Sequence, residues 1–210
     1  MIASLPSADV RLLFGPLSGA VLAFGIAGLA LLVPHYSHVH QTVSEIGEVG
    51  SPARVPFAVM LCCVAACTLV FAWGMHDVGV DAGCSRLAAY LTGFMAVPIA
   101  GVGIFAYPHP LHNVFGMSEL IGYQAPLALA LTWRRAPRSN AVVVWSWIFG
   151  GLLWAAIALN LSAFDRHGVI WSHLKPIYGL VQRSLFAAWS GWCVVIGLAL
   201  FRRQLPSAAH

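Results

Sequence analysis

The chain predicts an all-α integral membrane fold, a bundle of six transmembrane helices with both termini in the cytoplasm. Composition points there first: 9% of the 210 residues are charged and 60% are hydrophobic, against about 25% charged in a soluble domain. Mean hydropathy is +0.81. Six apolar stretches then supply the spans, at Leu12–Val33, Val55–Met75, Leu87–Tyr107, Phe115–Trp133, Ala141–Phe164 and Ile177–Phe201. Each suits a hydrocarbon layer that takes roughly 20 helical residues to cross. Together they use most of the chain, so residues 1–210 read as a single domain with no separate soluble part.

The first span follows Arg11. Its apolar run exceeds the roughly 7–15 residues of a cleavable signal core, and no small-residue cleavage site precedes Pro34. It reads as a retained helix, with Gly15 and Gly19 forming a small-xxx-small pair for close helix contact. In the second span Cys62, Cys63 and Cys67 read as small apolar residues filling a helix interface. Cys84 falls in a cytoplasmic turn and Cys193 in the sixth span, so no cysteine reaches an oxidising face and no disulfide framework is expected. Pro98 and Pro126 lie within the third and fourth spans, where a proline frees a carbonyl and kinks the helix. Trp73, Trp133, Trp171 and Trp189 lie near the membrane interfaces or one to three turns inside them, and an aromatic belt explains most of them.

Charge sets the orientation. Arg11, Arg86, Arg134, Arg135, Arg138, Arg202 and Arg203 fall on the side of the termini, against Arg54, Arg166 and Lys175 on the other. The positive-inside bias therefore places both termini in the cytoplasm. The resulting pI near 9.0 suits anionic lipid head groups. The basic residues form no dense patch, which argues against nucleic acid as a partner and leaves membrane lipids.

Seven of the nine histidines fall in the three outer connections. The first, Pro34–Pro56, is the longest. Ser37 could N-cap a short interfacial helix running to Gly47 or Gly50, with His38, Thr42 and Glu45 on one face and His40 paired with Ser44. The second is the tight run Pro108-His109-Pro110-Leu111-His112. The third, Asp165–Pro176, carries Asp165, His167, His173 and Lys175.

Several chemistries follow from these residues. Glu119 lies about one turn inside the fourth span, and a carboxylate at that depth should face the bundle interior or water. Helical spacing aligns it with His112, Gly116 and Tyr123. It reads either as a metal ligand or proton acceptor, or as a hydrogen-bonded structural acid. Arg183, beside Gln182 in the sixth span, is too deep to snorkel and needs a partner. Glu119 would give an interhelical ion pair; a lipid phosphate or carboxylate would make Arg183 and Gln182 substrate-binding. His38, His40, His109, His112, Asp165 and His173 could supply ligands to zinc or iron with an open water position. No His-Glu-x-x-His pattern or His-x-x-x-His pair is present, and loop imidazoles are also commonly just solvated. Ser44 beside Glu45, with His40 one turn earlier, permits a nucleophile–base pair. Haem between facing helices is disfavoured, because the histidines sit at helix ends.

Three segments carry a family resemblance. They are Tyr36-Ser37-His38 with Gln41-Thr42-Val43-Ser44-Glu45-Ile46-Gly47, then Gly101-Val102-Gly103-Ile104-Phe105 leading to His112, and Gly179-Leu180-Val181-Gln182-Arg183. The chain resembles the bacterial six-span family known as domain of unknown function 998 across nearly its whole length. The resemblance implies a six-helix membrane fold, a bacterial inner-membrane location and no established activity. It would make Ser44, Glu45, Gly47, His112, Gln182 and Arg183 signature positions. A more distant likeness is to the membrane hydrolases that include alkaline ceramidases; the chain departs from these in having six spans rather than seven and in lacking their His-x-x-x-His pair.

The leading expectation is a His/Glu/Arg site at the extracytoplasmic boundary that hydrolyses or modifies a lipid or small-molecule substrate, with zinc or iron as the candidate cofactor. Two other classes stay open: a small proton-coupled transporter, and a non-catalytic membrane subunit.

Overall fold

The computed structural model describes residues 7–135 and 140–204; Arg138 lies outside these. Helices account for the regular structure, and no strand occurs among the described residues. They are α1 (Ala8–Leu12), α2 (Phe14–Ala30), α3 (Arg54–Asp81), α4 (Leu87–Ile104), α5 (Pro110–Gly122), α6 (Ala125–Thr132), α7 (Asn140–Leu161), α8 (Val169–Leu174) and α9 (Tyr178–Gln204). Grouped as continuous rods, six stretches are long and apolar enough to cross a membrane: Asp9–Ala30, Arg54–Asp81, Leu87–Ile104, Pro110–Thr132, Asn140–Phe164 and Val169–Arg202.

Proline chemistry explains two interruptions. Pro16 has no N–H for the Leu12 carbonyl, and the first rod breaks at Leu13 between α1 and α2. Pro126 leaves the Gly122 carbonyl without its helical donor, and the fourth rod breaks at Tyr123–Gln124 between α5 and α6. Pro98, by contrast, is accommodated inside α4 without an interruption.

Close packing of the first and last rods uses the expected Gly15 together with Gly197 of the last rod. A Cβ on Gly15 would lie 2.6 Å from the Cys193 carbonyl oxygen, and one on Gly197 would lie 2.6 Å from that of Leu12. Trp192, Phe71, Met95, Leu153 and Ile196 are fully buried at the centre. There the Trp192 indole donates to Ser146 Oγ at 3.0 Å, so its one polar atom is satisfied. At the end away from the histidine-bearing loops, Arg11 pairs with Asp77 at 2.8 Å and stacks on Trp73.

Three expectations about placement need correcting. Cys62 and Cys63 face outward from α3 rather than into a helix interface, because the buried face of that helix is already filled by Leu61, Val64, Ala65 and Thr68. Trp133 and Trp189 are each 3% exposed and sit inside the bundle, not in a belt, with the Trp189 ring 5.4 Å from Trp192. The helix expected from Ser37 is instead a five-residue 3-10 turn, Val43–Gly47, capped by Thr42. Its Val43 and Ile46 plug the end of the bundle, at 4% and 0% exposure, rather than lying flat at an interface.

The three connections bearing the histidines converge. Val49 N donates to the Tyr107 carbonyl at 2.9 Å, joining the first to the second. The His40 ring bonds the Pro176 carbonyl, joining the first to the third.

Candidate functional site

The 3-10 turn that carries Ser44 is a rigid unit. Glu45 Oε1 accepts from both the backbone N–H and the hydroxyl of Thr42, each at 2.9 Å. Its other oxygen takes the Gln41 amide at 3.0 Å. Thr42-x-x-Glu45 is thus a capping arrangement that satisfies donors at the start of the turn. With both oxygens engaged, Glu45 holds the turn together.

Ser44 meets His112, 68 residues away in sequence. The His112 Nε2 lies 2.9 Å from Ser44 Oγ. On the other side of the ring, Nδ1 lies 3.1 Å from the Val102 carbonyl and 2.9 Å from that of Phe105. A carbonyl oxygen can only accept, so Nδ1 carries the proton and the neutral ring presents Nε2 as an acceptor. The Ser44 hydroxyl therefore donates to His112. His112 is 6% exposed, and Pro110 at the start of α5, with His109 Nδ1 accepting from Leu111 N at 3.1 Å, fixes its approach.

The two carbonyls belong to the C-terminal end of α4, where helical carbonyls lack donors. They orient the imidazole as a third group must in a nucleophile–base pair. The negative end of the helix also favours positive charge there, by about 1–2 kcal/mol when partly buried.

Deeper along α5, Tyr123 Oη donates to Glu119 Oε2 at 2.7 Å. Glu119 is 8% exposed, and its other oxygen has no partner among the described residues. Ser44, Glu119 and Tyr123 line one cavity of ≈ 40 Å³ whose remaining wall is apolar, including Leu22, Phe57, Leu61 and Trp189. Trp189 presents its ring edge to Tyr123 at 5.7 Å. The Glu119–Tyr123 pair on the fourth rod is thus formed, and Ser44 reaches the same cavity from another element.

Arg183 does not pair with Glu119. Its Nη1 donates to the carbonyls of His38, Gln41 and Gly179 at 2.9, 2.9 and 2.8 Å, and Nη2 donates to the Tyr36 hydroxyl. Gln182 Oε1 accepts from Val43 N at 2.6 Å. Gly179 completes the clamp: a Cβ there would lie 2.6 Å from the His38 carbonyl and closer still to that of Gln41. The start of α9 therefore grips the backbone of residues 36–43 and sets the height of Ser44. Burial raises the Tyr36 phenol above its ordinary 10.0, partly offset by Arg183. Burial and then the Arg183 charge hold the His38 imidazole below its ordinary 6.5.

The six candidate metal ligands are not brought together. Among the described residues, no group of three His, Cys, Asp or Glu side chains could hold one ion. The reason is local: His40 is taken by the Pro176 carbonyl, His109 by Leu111 N, His112 by Ser44 and two carbonyls, and His173 by the Val169 carbonyl. His38 packs edge-on against Tyr36 at 5.3 Å, and Asp165 is exposed, its carbonyl accepting from Gly168 N at 3.0 Å. The donor set fits neither zinc nor iron as a shared centre.

Sequence reasoning paired Ser44 with His40, whereas the fold pairs it with His112. It also gave no role to Gly179, Tyr36 or Gln41 beyond their place in the family-like segments, although these form the clamp. The family described as "Protein of unknown function (DUF998)" matches residues 16–199. No curated protein and no solved structure matches the chain.

Proposed function

The chain belongs to the DUF998 family of proteins of unknown function, and from the side chains it brings together we propose a membrane-embedded serine hydrolase acting on an ester of a membrane lipid. The observation that carries this reading is the Ser44 hydroxyl donating to a His112 whose tautomer is fixed from behind. Nucleophile, base and orienting group are the three parts such catalysis needs.

The first half-reaction uses them directly. Ser44 Oγ attacks the ester carbonyl carbon while its proton passes to His112 Nε2. The imidazolium is held by the Val102 and Phe105 carbonyls. The bond from the carbonyl carbon to the alcohol oxygen breaks, and His112 returns the proton to that leaving oxygen. An acyl group remains on Ser44. Arg183, Gln182 and Gly179 act here as positioning residues, since every polar contact Arg183 makes goes to the loop or to its own helix.

A lipid substrate is supported by location. The site sits where the spanning rods meet their loops. The arginine bias of the sequence supports an orientation with this end on the extracytoplasmic face of a bacterial inner membrane.

Purified protein in phospholipid vesicles tests the reading through release of free fatty acid. Wild type is expected to release it, and Ser44→Ala to fall to the level of empty vesicles. Equal release by the two would overturn the proposal.

A further inference from the structure

Among the described residues, the side-chain hydroxyls lining the cavity beneath Ser44 are already committed as donors, which leaves acceptors facing its occupant. The Ser44 O–H is given to His112 and the Tyr123 O–H to Glu119. As a carboxylate Glu119 only accepts; it lines this space, is more than nine-tenths buried, and has one oxygen without a partner among the described residues. Whatever occupies the cavity must bring donors. At ≈ 40 Å³ it has room for about two or three waters.

Resting on the serine-hydrolase reading above, we propose that this cavity is the acyl-acceptor subsite, that it takes water, and that Glu119 is the base of the second half-reaction. The chemistry assigned to the site is hydrolysis rather than acyl transfer to a second lipid. A water in the cavity gives one proton to Glu119 as its oxygen attacks the carbonyl carbon of acyl-Ser44. The bond from that carbon to Ser44 Oγ breaks, and Glu119 passes the proton to Oγ, which lines the same cavity. A carboxylic acid leaves, and Ser44 again donates to His112. Tyr123 is the positioning residue that keeps the carboxylate pointed at the water.

The two half-reactions then depend on different bases, and a chromogenic ester separates them. With p-nitrophenyl butyrate, wild type is expected to turn over steadily. Glu119→Gln should give one equivalent of nitrophenolate and stall, with a butyryl adduct on Ser44 visible by intact mass. Loss of a general base slows such a step by about 10²–10⁴-fold. Labelling of Ser44 by a fluorophosphonate, which needs only the first half-reaction, should stay at the wild-type rate. Hydroxylamine, a small donor that fits the cavity, should release the stalled butyryl group, and O-benzylhydroxylamine should not.

If Glu119→Gln does not fold, Tyr123→Phe serves: it should lengthen the acyl-enzyme lifetime while leaving fluorophosphonate labelling unchanged. The water site is overturned by a folded Glu119→Gln or Tyr123→Phe that turns over like wild type, by equal rescue with the bulky hydroxylamine, or by a labelled wild type that cannot hydrolyse the ester. Absence of fluorophosphonate labelling in wild type instead overturns the Ser44–His112 reading, and the water site with it.

Discussion

Replacing Gly179 by alanine should disable Ser44 from a distance, and the size of the effect follows from the packing. A Cβ at position 179 would lie 2.6 Å from the His38 carbonyl, 2.9 Å from that of Val39 and closer still to that of Gln41. Ordinary contact begins at 3.4 Å, so the loop must withdraw by about 0.8 Å or more, the difference between 3.4 and 2.6. These are backbone atoms and cannot swing aside. Ser44 moves with them, because Gln41, Thr42 and Glu45 are hydrogen-bonded into one unit. A shift of that size along the 2.9 Å bond from Ser44 to His112 would carry it past the range of a hydrogen bond. A misplacement near 1 Å costs a reaction about 100-fold. The assay is the second-order rate of fluorophosphonate labelling in detergent, with helicity followed by circular dichroism. Gly151→Ala is the control, since nothing lies within 4 Å of a Cβ there. A folded Gly179→Ala that labels at the wild-type rate would refute the link between the clamp and the serine.

Arg183→Gln removes hydrogen bonds from a charged donor to the loop oxygens of His38, Gln41 and Tyr36. Bonds to charged groups are worth about 1.5–3 kcal/mol each, so the loop should become sensitive to limited proteolysis while the spanning rods remain protected. His38 is held below its ordinary value by burial and by Arg183. In the unfolded chain it takes a proton near pH 6.5, and in the folded protein only at lower pH. Stability is therefore full above about 6.5 and declines as pH falls through the lowered folded value. Thermal midpoints should drop over that window, and His38→Gln should flatten the drop. Chelation by EDTA should leave Ser44 labelling unchanged, because no three ligand-type side chains gather among the described residues.

The fold was readable in the sequence because hydropathy and length are local properties. The Gly15 contact and the break before Pro126 were readable for the same reason, as was the Glu119–Tyr123 pair four residues apart on one helix. The site was only half readable. Ser44 and His112 were both singled out, yet their pairing spans 68 residues and depends on how the 3-10 turn drops into the bundle. Arg183 called for a partner, and Glu119 was the obvious acid. The real partners are backbone carbonyls, which every residue carries and no sequence marks. The same blindness produced the metal expectation. Histidines crowd one end of the bundle, but carbonyls, backbone N–H groups and a serine take four of the candidate imidazoles individually.

Peptide mapping after fluorophosphonate treatment tests the Ser44–His112 pair most directly. One adduct on Ser44 is expected in wild type, with labelling at least about 100-fold slower in His112→Ala. An unmodified Ser44 in folded wild-type protein, or equal labelling in folded His112→Ala, would contradict it.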